Sequence, residues 1–291
     1  MIADFEYFAP KTVKEAFSLL SRYREEAKII AGGQSMLVIM KQGLFAPEYL
    51  IDIKGISALD YIKYDEGKGL RIGALTIHRA IEKSPVIQKH FGVLSEMERN
   101  LATIQTRNWG TIGGNLCHGD PAGDPAPVLI ALNAKLKLAS SVGERIIDME
   151  EFSKDYLEVD LQTGEMLTEI QVLIPPARTG TAYEKLMVMK GDMGIVSAAV
   201  SITLRPGDGV CENVRIALGS AASVPLRARK AEKQLIGKVI NDTLLAEVGE
   251  VALTEADPPS DVHGSAEYRR EMVKVFVKRV AQIALERAKA A

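Results

Sequence analysis

The stretch Thr111-Ile112-Gly113-Gly114-Asn115-Leu116-Cys117-His118-Gly119-Asp120-Pro121-Ala122-Gly123-Asp124 decides how this chain is read. A hydroxyl, a glycine pair and an amide come first, carboxylates follow, and Pro121 and Pro125 stiffen the path. Phosphate oxygens are bound by backbone N–H groups and hydroxyls, whereas sugar hydroxyls need a carboxylate or amide acceptor. One stretch supplies both kinds. It lies in a segment, Asn108 to Pro127, whose Gly, Asn, Asp and Pro content reads as irregular loop, and such a loop inside a compact domain points to binding. His118, Asp120 and Asp124 also stand as H-x-D-x-x-x-D, which leaves a divalent metal open, although no second His or Cys cluster completes a ligand set. A hydrogen-bonded loop histidine without chemistry is the other reading of His118.

Upstream, an apolar run from Lys28 to Ala31 enters Ile30-Ala31-Gly32-Gly33-Gln34-Ser35, a strand ending in a glycine turn. Two glycines let the backbone approach a ligand and aim successive N–H groups at an anion. The turn fits neither the G-x-G-x-x-G pattern nor a Walker loop, since no Gly-Lys-Ser/Thr follows. Thr12-Val13-Lys14-Glu15 reads as a capping box opening a helix to about Arg24, with Val13, Ala16, Phe17 and Leu20 at helical spacing. A short helix from Met36 to Gln42 and a strand from Tyr49 to Ile53 complete a β-α-β unit ending near Gly55.

Strand pairs and helices then follow to Pro175-Pro176 and Thr179-Gly180, which read as punctuation between domains. Beyond them Tyr183 to Met189, Gly194 to Leu204 and Asn213 to Leu218 alternate as strands, with Gly207-Asp208-Gly209 as hairpin chemistry. Helices are expected from about Arg227, Asp242 and Ser265. The last carries Met272, Phe276, Val280 and Ile283 along one stripe with a basic opposite face, which reads as packing on its own domain. The expected division is 1–55, 56–176 and 177–291.

The 291 residues carry 36 basic and 38 acidic side chains, a net charge of -2, so no global bias toward nucleic acid or anionic membrane exists. The N-terminal run MIADFEYFAPKTVKEAF is acidic early and lacks an apolar signal, and no apolar stretch is long enough to span a membrane. A soluble, cytoplasmic protein is the expectation. Cys117 and Cys211 alone support neither a disulfide framework nor a four-thiolate cluster, and both are expected reduced and buried.

FEYFAPKTVKEAFSLL, the AGGQS loop, RIGALTIHRAIE, the RNWGTIGGNLCHGDPAGDPAPVLIAL block and EKLMVMKGDMGIVSAAVSI occur in this order over most of the chain. Together they resemble the FAD-binding medium subunit of the molybdenum hydroxylase family, the group of aerobic carbon monoxide dehydrogenase and xanthine dehydrogenase. The resemblance implies an α+β chain: a two-lobed FAD-binding domain of the vanillyl-alcohol oxidase/PCMH type, then a C-terminal domain with a three-stranded antiparallel sheet and helices. It implies that Ile29, Ile30, Ala31, Gly32, Gly33, Gln34, Ser35 and Met36 wrap the FAD diphosphate, Gln34 standing where relatives often carry His. Thr111, Gly114 and Asn115 would form a second wall with His118 and Asp120 close by, and Asp124 would hold a ribose or ribityl hydroxyl. Met166 and Leu167 would pack on the adenine or ring side, and Lys185 would reach the flavin, where a cation offsets negative charge. Arg107 is open between a partner-facing role, neutralising reduced flavin, and none.

The resemblance also implies partners. A pair of [2Fe-2S] clusters needs more thiolates than this chain has, so clusters and molybdopterin belong to a small iron–sulfur subunit and a large molybdenum subunit. Electrons would leave to an external acceptor such as NAD, a quinone or oxygen. The two cysteines disfavour the 4-hydroxybenzoyl-CoA reductase branch, whose medium subunit carries an extra cluster. The alternatives are a self-contained FAD oxidase, against which stands the lack of any base but His263 after Thr181, and a scaffold subunit without flavin.

Overall fold

The computed structural model describes residues 2–291. The first lobe runs β1 (Glu6–Phe8), α1 (Val13–Tyr23), β2 (Ala27–Ile30), α2 (Met36–Lys41) and β3 (Tyr49–Asp52), with a parallel sheet ordered β1-β3-β2. Thr12 Oγ1 accepts from Glu15 N at 3.2 Å, as a capping box requires, but the Glu15 carboxylate takes Lys11 N at 2.7 Å, one residue further out. Ala16 and Leu20 of α1 pack on Ala27, Ile51 and Ile53. Burying one such leucine contributes roughly 1.5–3 kcal/mol. β1 was not legible, since three residues cut off by Pro10 show no alternation.

The second lobe adds β4 (Ile62–Asp65), β5 (Gly69–Gly73), α3 (His78–Lys83), α4 (Pro85–His90), α5 (Gly92–Asn100), α6 (Ile104–Arg107), α7 (Ile112–His118) and α8 (Pro125–Ala131). After these come β6 (Lys135–Ala139), β7 (Glu144–Asp148), α9 (Met149–Phe152), β8 (Ser153–Asp155), β9 (Glu158–Val159) and β10 (Met166–Val172). Its main sheet is antiparallel in the order β4-β5-β10-β6-β7, covered by Leu94 and Met97 of α5 and Val128 and Leu129 of α8. The segment Asn108 to Pro127 is therefore less irregular than its composition implies. Thr111 Oγ1 accepts from Gly114 N at 3.1 Å to start α7, and Pro125 occupies the first turn of α8, where no N–H is needed.

The C-terminal region comprises β11 (Thr179–Leu186), β12 (Val196–Leu204), β13 (Cys211–Gly219), β14 (Leu226–Arg227), α10 (Arg229–Leu235), α11 (Asp242–Glu255) and α12 (Ala266–Ala290). The three long antiparallel strands gain β14 at the edge, too short to show a pattern. Thr179-Gly180, read as punctuation, lies inside β11. A methyl group at Gly180 would run into the α12 backbone at Ala284, so the glycine marks a close crossing and not a break. Phe276 and Val280 of the expected α12 stripe are buried, joined by Val273, Val277 and Ala284, while Met272 and Ile283 flank it half-buried. Among the described residues no helix is long and apolar enough to cross a membrane.

Candidate functional site

A cleft of about 830 Å³ is walled by both N-terminal lobes and by the β11–β12 connection. The residues that the resemblance assigns to FAD all contribute to it, from Ile29–Met36 through Thr111, Gly114, Asn115, His118, Asp120 and Asp124 to Met166, Leu167 and Lys185, whereas Arg107 does not line it. Its volume falls in the range of cofactor sites, about 300–1,000 Å³.

The first wall is the turn after β2. A methyl group at Gly32 would overlap the Trp109 carbonyl and lie 2.7 Å from Gly110 Cα, so the two glycine-bearing segments meet backbone to backbone. Gly33 has φ +70°, which side chains adopt only with strain. Gln34 folds back, its Nε2 donating to the Gly32 carbonyl at 3.2 Å. Thr111 spends an Oγ lone pair on its helix cap yet keeps its O–H to donate. Met166 and Leu167 line the cleft but root in different cores, Met166 in the first lobe and Leu167 in the second.

The far end is ionic. Asp124 is buried, accepting from Tyr183 Oη at 2.5 Å and from Lys185 Nζ at 2.7 Å. Lys185 also donates to the Asp192 carbonyl at 2.8 Å, tying the loop that carries exposed Met193. Burial pushes the Asp124 carboxyl above its ordinary value, and Lys185 and Tyr183 pull it back down. His118 and Asp120 stand apart from this cluster; an Asp120 oxygen takes Ala122 N at 2.8 Å. No group of three or more His, Cys, Asp or Glu side chains among the described residues is placed to hold a metal ion.

Arg107 is not a surface group. It is buried, paired with Glu82 at 3.1 Å, and donates to the Leu101 and Ala102 carbonyls at 2.7 and 2.9 Å. It thereby braces a stretch of cleft wall in which Ala102 has φ +43°. Sequence reasoning missed Tyr183 and His78. Tyr183 had a usable signal, since it stands two residues before Lys185 on a strand and so shares its face. His78 had none, because its partner Glu98 lies on another helix.

Near the Gln162–Glu165 turn, Arg145 grips Glu165 through both carboxylate oxygens at 2.8 and 2.7 Å and reaches Asp160 at 3.1 Å. These bonds hold both carboxyls below their ordinary range. A depressed carboxylate contributes stability that is present above its unfolded value, near pH 4, and lost as pH falls through the folded value. Arg145→Gln is therefore expected to lower stability by about 1 kcal/mol at pH 7. The gap from wild type should close in acid urea titrations; a gap constant with pH counts against the pairing.

Residues 3–176 match the family described as FAD binding domain in molybdopterin dehydrogenase. Residues 181–284 match the CO dehydrogenase flavoprotein C-terminal domain. Fold and cleft thus define a flavoprotein-type chain, and it belongs to the family of FAD-binding medium subunits of molybdopterin dehydrogenases. It is 36% identical over 288 residues to the carbon monoxide dehydrogenase medium chain of Afipia carboxidovorans, covering 98% of each. It is 34% identical over 275 residues to the glyceraldehyde dehydrogenase medium chain of Sulfolobus acidocaldarius, covering 94% of this chain and 95% of that one. Among solved structures, carbon monoxide dehydrogenase from Hydrogenophaga pseudoflava superposes with a TM-score of 0.95 at 36% identity, covering 99% of each chain.

Proposed function

We propose that the chain is the FAD-binding electron-transfer subunit of a molybdopterin-dependent hydroxylase or dehydrogenase, and that the cleft holds its FAD. The observation that carries this is the pair of glycine segments meeting backbone to backbone at one end of a cleft whose other end is the Lys185–Asp124 pair. The group fits: side chains are absent where a diphosphate needs backbone N–H donors, and a buried cation sits at the opposite end. Residues 29–36 with Thr111, Gly114 and Asn115 hold the diphosphate, with His118 and Asp120 beside them. Asp124 and Lys185 take the ribityl or ring end, and Met166 and Leu167 pack on a flat face. Bound there, FAD supplies a carrier able to trade electrons one or two at a time. The chain's own work is to bind it, orient it and keep water away.

Segments 1–55, 56–176 and 177–291 act as two lobes and a closing domain. Clusters and molybdopterin sit on a small and a large partner subunit, electrons leave to an external acceptor, and the complex is cytoplasmic. Relatives of nearly equal identity are named for carbon monoxide and for glyceraldehyde, which supports substrate choice on a partner and not on this chain. The test is purification: about one FAD per chain, released intact by acid or heat, with cluster and molybdenum subunits copurifying. Flavin that stays attached after denaturation, or a stoichiometric transition metal in its place, contradicts the reading.

A further inference from the structure

One further pair of ionisable side chains borders the cleft. His78, at the start of α3, is 2% exposed, and Glu98, near the end of α5, is 0% exposed. The imidazole Nδ1 meets both carboxylate oxygens, at 3.0 and 2.9 Å. The His78 backbone N–H donates to the Gly110 carbonyl at 3.0 Å, which seats the residue against the turn that packs on Gly32. Its Cδ2 edge, adjacent to Nε2, faces that turn, where a methyl on Gly110 would sit 3.1 Å away. His78 lines the cleft, and no protein group among the described residues bonds Nε2.

The proton count of the pair sets what Nε2 offers. With one proton between them, Nδ1–H donates to the carboxylate, Nε2 is a bare acceptor, and the pair carries one buried negative charge. With two protons the pair is neutral, as imidazolium with carboxylate or as imidazole with carboxylic acid. In both arrangements Nε2 carries a hydrogen. Burial pushes the Glu98 carboxyl upward, His78 pulls against it through its charge and its hydrogen bond, and the nearby Asp124 charge adds a smaller push. The other charged groups around the pair already have partners: Asp124 with Lys185 and Tyr183 of β11, and Arg107 of α6 with Glu82 of α3.

We propose that His78 contacts the bound FAD, its Nε2–H donating to an acceptor atom of that cofactor, and that Glu98 is the positioning residue that keeps that hydrogen in place. This rests on the cleft holding FAD. A hydrogen bond from a neutral, two-proton pair to an electron-rich ligand strengthens as the ligand becomes more negative, and binding in turn holds the second proton on the pair.

The experiment is FAD affinity of the full chain, by fluorescence quenching, from roughly pH 6 to pH 9. Wild type should bind more weakly as pH rises, by about tenfold, the worth of one charge-assisted hydrogen bond. His78→Phe should bind at the weak, high-pH level throughout, with a flat profile. His78→Gln keeps an N–H donor without titrating, so it should recover affinity but stay flat, and Glu98→Gln should flatten the profile as well. Asp124, Lys185 and Tyr183 remain in every variant, so the difference between profiles isolates the pair. A merely structural His78 predicts parallel profiles with a constant offset, and that result overturns the inference while leaving FAD binding intact. A wild-type chain that binds no FAD at any pH overturns the parent reading and the inference together.

Discussion

Asp124→Ala is expected to destabilise the folded chain by about 3–5 kcal/mol, because it strands the buried Lys185 ammonium without its carboxylate. Tyr183 loses its acceptor in the same step. Urea unfolding of the flavin-free chain near neutral pH measures this directly. Lys185→Met should cost less, about 1–3 kcal/mol, since burial already favours a neutral Asp124 that can share a proton with its surroundings. Asp124→Ala should also weaken FAD binding, by roughly 1 to 3 kcal/mol from unmet buried partners. His118→Ala is the control: half-exposed and outside the ionic cluster, it should disturb either property little. Equal losses from Asp124→Ala and His118→Ala would remove Asp124 from its assigned place.

A second large effect concerns which reductants reach the flavin. Two free cysteines, Cys211 buried as expected and Cys117 only half-buried at the cleft, supply no cluster, and His263, the only histidine after Thr181, is exposed and lies outside the cleft. The isolated subunit's FAD should therefore be bleached by dithionite but untouched by purines, aldehydes, nicotinate or carbon monoxide. Adding iron–sulfur and molybdenum subunits should restore bleaching by the substrate of the complex. Anaerobic spectra decide it, and rapid bleaching of the isolated chain by any such compound would make it a self-contained oxidase instead. Bleaching by NADH alone would fit the subunit reading, as the acceptor reaction run backwards.

The two glycine segments, α1, α2 and the C-terminal strands were legible because each is set by local chemistry: a cap, a glycine pair, an alternating run. The candidate cleft residues fell together in the same way, each lying in or beside a local motif or carried by the resemblance. What escaped was long-range or short. β1 and β14 are too brief to alternate, and the helical character of residues 112–118 was masked by glycine content that the Thr111 cap overrides. Gly180 looked like a breaker because its reason, the α12 backbone against it, is a hundred residues away. The Arg107–Glu82 and His78–Glu98 pairs depend on helices brought together by packing, which no local pattern announces.

The contact between Gly32 and the Trp109 carbonyl divides tolerance to change unequally between the two positions. Trp109 is 58% exposed, and what Gly32 touches is its peptide oxygen, an atom that all residues share. Exchanging the indole for another side chain thus leaves the atom that Gly32 meets in place, while the smallest possible enlargement of its neighbour, a single methyl, splits the seam. The most conspicuous aromatic beside the cleft is in this respect the replaceable member of the pair, and the residue with no side chain is the one under constraint.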